Sequence, residues 1–223
     1  MAPFFTGITR AIGGAGFGKR AGGIILPAIG DAYEGGFFAG YISHTANGVA
    51  THGLIVAPSA SGYNGQVGLL WKTTNTSTAG TTSPFDGAIN SANMNDASHP
   101  AAQYCKGLTI GGYSDWYLPA RYELDIAYEN LKPTTTSNST SWGINPYSVP
   151  KRTVNRTAGA PAQTSLAAFQ AGGAEDFADV YHWSSTENNA TTAKDQLFST
   201  GIQGNGGKSG ASSYVRAFRK FAL

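Results

Sequence analysis

Gly111-Gly-Tyr-Ser-Asp-Trp-Tyr-Leu-Pro-Ala-Arg-Tyr-Glu-Leu124 is the stretch on which the architecture turns. Its last residues open the segment Ala120–Leu131, where Leu124, Ala127, Tyr128 and Leu131 fall at i, i+3, i+4 and i+7. That spacing makes a one-faced apolar stripe and predicts an amphipathic helix. Pro119 suits its start and Pro133 bars continuation. Upstream, Gly53-Leu-Ile-Val-Ala-Pro58 and Val67-Gly-Leu-Leu-Trp71 are apolar runs between turn residues, expected as buried strands. Residues 72–97 are polar and turn-rich and read as a long surface loop. Ser98 reads as the N-cap of a short helix through AAQYCK, with Pro100 in its first turn and Gly107 as its stop. Cys105 on that helix reads as a small buried hydrophobe. Downstream, residues 133–163 are loop-like, and Thr164 reads as the cap of a helix over SLAAFQA, ended by Gly172–Gly173. The final segment, Tyr181–Phe221, has strand-like ends around a glycine-rich middle, GIQGNGGKSGASS, expected as a hairpin-like display loop. In its closing strand Tyr214, Arg216, Phe218 and Lys220 alternate with Val215, Ala217, Arg219 and Phe221.

Composition narrows the class. Lys+Arg number 15 and Asp+Glu 13, a net charge of +2, and charged residues are only 13% of the 223, where about 25% is usual. Gly, Ser, Thr and Asn number 30, 19, 22 and 13. The surface is therefore expected to consist largely of neutral hydrogen-bonding groups. No basic cluster exceeds the pairs Lys19–Arg20 and Lys151–Arg152, so nucleic acid is not an expected partner. No apolar run approaches the ~20 residues of a membrane span, and glycines cut MAPFFTGITRAIGGAGFG where a secretory signal needs a continuous apolar core. Neither membrane insertion nor a signal peptide is expected. The single cysteine supports no internal disulfide and no cysteine-based metal site, and His44, His52, His99 and His182 lack the i, i+4 pairing of a helical zinc motif. No metal and no cofactor is expected. Hydrophobic residues at 41% and aromatics at 12% can fill a core.

Residues 1–45 differ from the rest. Glycines there are mixed with Phe4, Phe5, Ile8, Ile12, Phe17, Ile24, Ile25, Leu26, Phe37 and Phe38. Glycine weakens helices and strands, yet the large apolar side chains need burial. The stretch is expected to be an extended arm that orders against its own domain, a neighbouring subunit or a larger assembly. A glycine-rich edge of the same domain is the alternative. Residues 46–223 are then the folded domain. GAGFGK at 14–19 has the wrong spacing for a phosphate loop, and Arg20 stands where Ser or Thr is required.

Three ordered blocks carry a resemblance: Gly111 to Leu124, His182-Trp-Ser-Ser-Thr-Glu187, and Tyr214-Val-Arg-Ala-Phe-Arg219. They resemble the W-x-L-P-(S/T/A)-x-x-E-L, (Y/H)-W-S-S-T-E and V-R-x-(V/F)-R blocks of the collagen-like-protein C-terminal domain family. That family is a disulfide-poor branch of the C-type-lectin-like fold, related in shape to formylglycine-generating enzymes and retroelement-diversified variable proteins. The resemblance covers residues 111–221, and GLIVAP…HPAAQYC with the N-terminal text is similar to virion proteins of tailed phages. It implies an α+β domain of C-type-lectin-like fold, with short helices on a small twisted, mostly antiparallel sheet, long loops and an extended Gly-rich N-terminal arm. In it Trp116, Leu118 and Trp183 are expected to seat the helix on the terminal sheet. Glu123 and Glu187 are expected to pair with Arg216 or Arg219. All seven read as framework, not as catalytic groups.

The resemblance implies a phage virion protein, assembled in the host cytoplasm, whose domain presents a loop face to a host-surface receptor or glycan. The arm would dock on other virion proteins, and a cyclic homo-oligomer such as a trimer is expected. The candidate face lies between two framework blocks: Asn188, Asn189, Thr191, Thr192, Lys194, Asp195, Gln196, Ser199, Gln203, Asn205, Lys208, Ser212 and Tyr214. In diversified relatives the same segment is the variable one, and small polar side chains there supply adaptable hydrogen bonding. The alternative is a capsid decoration or tail-adaptor protein with a purely structural role. Glu187-Asn188-Asn189 and Asn93-Met94-Asn95-Asp96 lack the signatures of calcium-dependent lectins, so calcium is not expected to be required. An enzyme of the formylglycine-generating type would need a pair of cysteines, and only Cys105 is present.

Overall fold

Ala217 divides the expected closing strand in two, and the two pieces enter different sheets. The computed structural model describes residues 20–21, 24–210 and 213–223. In chain order the elements are β1 (Arg20–Ala21), β2 (Ile24–Ile25), β3 (Ala32–Tyr33), β4 (Gly36–Ile42), β5 (His52–Val56), α1 (Ser59–Gly62) and β6 (Tyr63–Leu69). Then come α2 (Gly87–Asn93), α3 (Pro100–Lys106), α4 (Arg121–Leu131), β7 (Ser148–Val149), β8 (Tyr181–Glu187), β9 (Thr192–Leu197), β10 (Gln203–Gly207), β11 (Ser213–Arg216) and β12 (Phe218–Ala222). One sheet has the order β12-β5-β4-β3, with β7 beside β4, and its pairs are antiparallel. The other has the order β10-β9-β8-β11-β6, antiparallel except for the parallel β11–β8 pair. The described residues are thus α+β: two five-stranded sheets and the two-stranded β1–β2 ribbon, with a few short helices. Between the sheets, Ala217 N donates to Gly62 O and its carbonyl accepts from Ala57 N, both at 2.9 Å.

The stretch Gly111–Leu124 threads between two cores. Tyr117 bridges to Phe218 through reciprocal backbone hydrogen bonds of 2.7 and 2.9 Å. Its ring joins the first core with Leu124, Ala127, Tyr128 and Leu131 of α4, and with Ala39, Ile42, Leu54 and Val56 of the first sheet. The neighbouring Trp116 and Leu118 point the other way, into a second core with Trp183, Val215, Trp71 and the α3 residues Ala101, Ala102 and Cys105. Alternation along an extended segment therefore feeds both cores from one strand-like run. The expectation that Trp116, Leu118 and Trp183 seat the long helix is corrected: they hold α3 and the second sheet, and α4 lies on β4.

Several expected boundaries move. Residues 32–42 are not part of an arm; β4 pairs with β5 along its length, and Phe38, Ala39 and Ile42 are buried. β4 lies between β5 and β3, inside the sheet and not at an edge, so this stretch orders within the first sheet. Residues 1–19, 22 and 23 of the expected arm lie outside the described residues, as does the candidate Ser212. The second expected strand begins four residues earlier, as β6, and its Val67 is 69% exposed. The loop over 72–97 contains α2, capped by Asp86, whose Oδ1 accepts from Ile89 N at 3.1 Å. That helix was hidden because its buried face is Gly87, Asn90 and Ser91, while Ile89 points outward. His99, not Ser98, stands at the α3 N-cap, and Ser98 bonds Asp96 instead. The helix expected over SLAAFQA shrinks to a single 3-10 turn at Ala167–Phe169, where Thr164 Oγ1 accepts from Leu166 N at 3.3 Å. Among the described residues no helix is long and apolar enough to cross a membrane.

Candidate functional site

Residues 203–207 of the glycine-rich middle form the strand β10, and that sorts the candidate face. β10 pairs with β9 in a five-residue register, Gln203 opposite Gln196 and Asn205 opposite Lys194. Asn188, Asn189, Thr191 and Asn205 are exposed, and Thr192, Lys194 and Tyr214 are half-buried. Asp195, Gln196, Ser199, Gln203 and Lys208 are buried. Those five cannot present side chains to another surface, which corrects their placement on the display face. Gln203 accepts from Arg121 Nη2 at 2.7 Å and donates to Asp125 Oδ1 at 3.1 Å. Asp195 accepts from Ser213 Oγ at 3.3 Å, and burial pushes its carboxyl up to about 6.

The expected ion pairs also differ. Glu123 meets neither arginine: its carboxylate accepts from Ala120 N (2.7 Å), Gly87 N (3.2 Å) and Tyr117 Oη (2.9 Å), so it ties the starts of α4 and α2 together. Full burial pushes it up to about 8, against the pull of those donors. Arg216 bonds Glu175 at 2.7 Å and Ala57 O at 2.7 Å, and Arg219 bonds Asp115 at 2.7 Å and Glu34 at 2.6 Å. The break at Ala217 is the reason, because it puts the two arginines in different sheets with different neighbours.

Glu187 pairs with Lys208, the residue expected on the display face. Lys208 Nζ lies 3.1 Å from Glu187 Oε2, 3.1 Å from Thr76 O and 4.7 Å from the centre of the Trp71 ring, with the side chain fully buried. Beside it, the largely buried Lys72 donates to Thr76 O at 3.2 Å, Ser77 O at 3.0 Å and Thr78 Oγ1 at 2.9 Å. Glu187 Oε2 also accepts from Thr78 N at 2.7 Å and Thr81 Oγ1 at 3.2 Å. Two ammonium groups and one carboxylate thus hold the backbone of residues 76–78 from beneath. Above this clamp Thr73, Thr74, Asn75, Thr76 and Ser77 are exposed.

The neighbouring loop is fixed by its own side chains. Asn189 Oδ1 accepts from Thr191 N and Thr192 N, both at 2.9 Å, a local turn typical of asparagine. Lys208 N donates to Thr191 O at 3.0 Å, so the two loops share Lys208 as a support. The outcome is a neutral, hydroxyl- and amide-bearing surface over 73–77 and 188–191, next to Asn205. Sequence reasoning placed Asn188, Asn189, Thr191 and Asn205 there and missed 73–77. The available signal was Lys72, a lone charge directly after the apolar run that ends at Trp71.

His182, Ser184 and Cys105 are spent internally. His182 is buried, with Nδ1 at 3.0 Å from Val180 O and Nε2 at 3.2 Å from the Tyr63 hydroxyl, and burial holds it down at about 3. Ser184 Oγ donates to Lys194 O at 2.9 Å and does not meet that imidazole. Burial pushes the Cys105 thiol up. Among the described residues, no group of three or more His, Cys, Asp or Glu side chains is placed to hold a metal ion. No protein-family model matches the chain, and no curated protein matches it as a relative.

Proposed function

We propose that the chain is a phage virion protein whose domain, C-type-lectin-like in fold, presents residues 73–77, 188–191 and 205 to a host-surface receptor or glycan. The part of the arm upstream of the first sheet attaches it to other virion proteins, in a homo-oligomer. The observation that supports this reading best is the clamp of Lys72, Lys208 and Glu187 under loop 73–78. A loop held by its backbone keeps its outward side chains in one arrangement, so a ligand loses less affinity to ordering. The outward groups are Thr, Ser and Asn, whose neutral donors and acceptors match a hydroxyl-rich or peptide surface. No chemistry on the ligand is part of the proposal.

The test is binding of the full chain to host cells and to a glycan array. Asn75→Ala with Asn188→Ala alters two exposed side chains and is expected to weaken binding about tenfold, or by ~1.4 kcal/mol, at unchanged melting temperature. Absence of any host-surface binding by the parent chain overturns the reading. One observation favours the structural alternative, decoration or tail adaptor: five of the candidate side chains are locked into the chain's own framework. Under that reading, particles lacking the protein adsorb to the host normally.

A further inference from the structure

On the first sheet lies an apolar cleft of about 650 Å³, lined by Leu26, Ile29, Phe38, Tyr41, Val49 and Leu223 among others. Its one side-chain amide, Asn130, is spent on Ala39 O at 2.7 Å. The volume lies within the ~300–1,000 Å³ of cavities that enclose a sizeable ligand. Val49 and Leu223 are also 65% and 50% exposed, so apolar surface continues past the rim. Contiguous exposed apolar surface of this kind marks an interaction site.

We propose that the occupant is the chain's own N-terminal segment, with Phe4, Phe5, Ile8, Ile12 and Phe17 as the filling side chains. The path of the backbone supports this. β1 and β2 form an antiparallel hairpin in which Arg20 lies opposite Ile25. Arg20 therefore lies one register step from Leu26, where the cleft wall begins, so the chain outside the described residues starts beside the cleft. Residues 4–19 reach about 50 Å when extended at ~3.3 Å per residue, ample for the length of the cleft. The segment carries only Arg10 and Lys19 as charges, so little must be desolvated to seat it. Tethering favours the chain's own cleft over a second copy's, because a covalently joined segment meets it at an effective concentration of about a millimolar.

This proposal stands apart from the display reading, since it uses none of the residues of that face. It changes what attachment requires: a virion partner that takes the arm must offer more apolar cover than the cleft does. The test is limited trypsin digestion of the full chain, read at the Arg10–Ala11 bond. A seated arm protects that bond. Val49→Asp with Leu223→Asp sets two carboxylates on the exposed rim and is expected to speed cleavage about tenfold, as the seated fraction falls. Val67→Asp, on the other sheet, leaves the rate unchanged. Phe17→Ser, which changes none of the described residues, is expected to act like the rim pair and covers the case in which that pair lowers the melting temperature. Rapid cleavage in the parent chain overturns the proposal. So does protection that survives both the rim pair and Phe17→Ser, and so does protection that grows with protein concentration, because the occupant is then a second copy.

Discussion

Replacing Lys208 by Met separates the clamp from the packing around it. Methionine keeps an unbranched apolar stem against the Trp71 ring but removes the ammonium group. Glu187, 8% exposed, is left with Thr78 N and Thr81 Oγ1 as donors and no cation. Removing one member of a buried pair costs about 3–5 kcal/mol. The lower end applies here, because Lys72 remains on the same loop carbonyls and two neutral donors still reach the carboxylate. For a domain of this size about 3 kcal/mol lowers the melting temperature by roughly 6–12 °C. The effect has a defined pH dependence. Burial pushes the Glu187 carboxyl up, but Thr78 N and Lys208 outweigh it, so the folded value lies below the ordinary 4.5. A depressed carboxylate stabilises above its unfolded pKa and loses that contribution as pH falls, so the gap between parent and Lys208→Met closes in acid. The assay is urea denaturation at pH 7 and pH 4, with Glu187→Gln and the double variant completing a cycle. The double variant is expected to recover about 1 kcal/mol or more of the summed single losses. A single-variant loss under about 1 kcal/mol, within the range of exposed pairs, refutes a clamp. Additive singles refute it equally.

Asp195→Asn tests the buried carboxyl behind β10. Its folded pKa of about 6 exceeds the ordinary 3.8, so the folded state binds more protons between these values and the parent loses stability as pH rises through that window. The variant lacks this loss, and its stability relative to the parent is expected to rise by up to about 3 kcal/mol from pH 4 to pH 7; a gap constant with pH refutes the assignment. Gly206 and Gly207 give a paired test of the strand. A methyl on Gly206 meets the Trp183 ring and Asp195, whereas one on Gly207 meets nothing within 4 Å. Gly206→Ala is expected to cost about 1–3 kcal/mol in thermal denaturation and Gly207→Ala close to nothing, and equal effects would mean a free loop. Asn189→Ala removes the acceptor for Thr191 N and Thr192 N and is expected to cost about 1 kcal/mol while raising amide exchange at 190–192. Unchanged exchange there would show that the loop does not depend on it.

What was legible in the sequence was whatever buries an apolar pattern. The stripe Leu124, Ala127, Tyr128, Leu131 gave α4 to within a residue, and the run through Leu54, Ile55 and Val56 gave β5, because each pattern is the face itself. α2 was not legible, because its inward face is Gly87, Asn90 and Ser91 and its stability rests on Asp86 and on Glu123 from 36 residues away. β10 was hidden for a related reason. Gln203-Gly-Asn-Gly-Gly207 has no apolar residue, and glycine is favoured where Asp195 and Tyr181 crowd against Gly204 and Trp183 and Asp195 against Gly206. Period two ran unbroken through Tyr214–Phe221, so nothing local marked Ala217 as the point where the chain changes sheets. The ion pairs followed from that unseen break, and so did the loss of Glu123 and Glu187 as partners for the arginines.

The scarcity of charge then acquires a structural meaning. Lys208 with Glu187, Arg216 with Glu175, Arg219 with Asp115 and Glu34, and Arg152 and Arg156 with Asp125 and Glu129 draw much of the chain's small complement of charges into buried or half-buried pairs. An ordinary domain keeps such groups in water, where they add little to stability. Here they fix backbone instead: Lys72 and Lys208 hold loop 76–78, Arg216 holds Ala57 O, and Arg156 bonds Gly201 O. Glycine-rich strands and helices with polar faces bury little apolar area, so their position must come from directional contacts, and a buried cation supplies several from one side chain. The neutral surface and the charged interior are thus two aspects of one arrangement. Loop 73–77, pinned from below by ionic groups, can carry any small uncharged side chain above, because what stands on top contributes almost nothing to holding it in place, whereas loop 188–191 depends on its own Asn189.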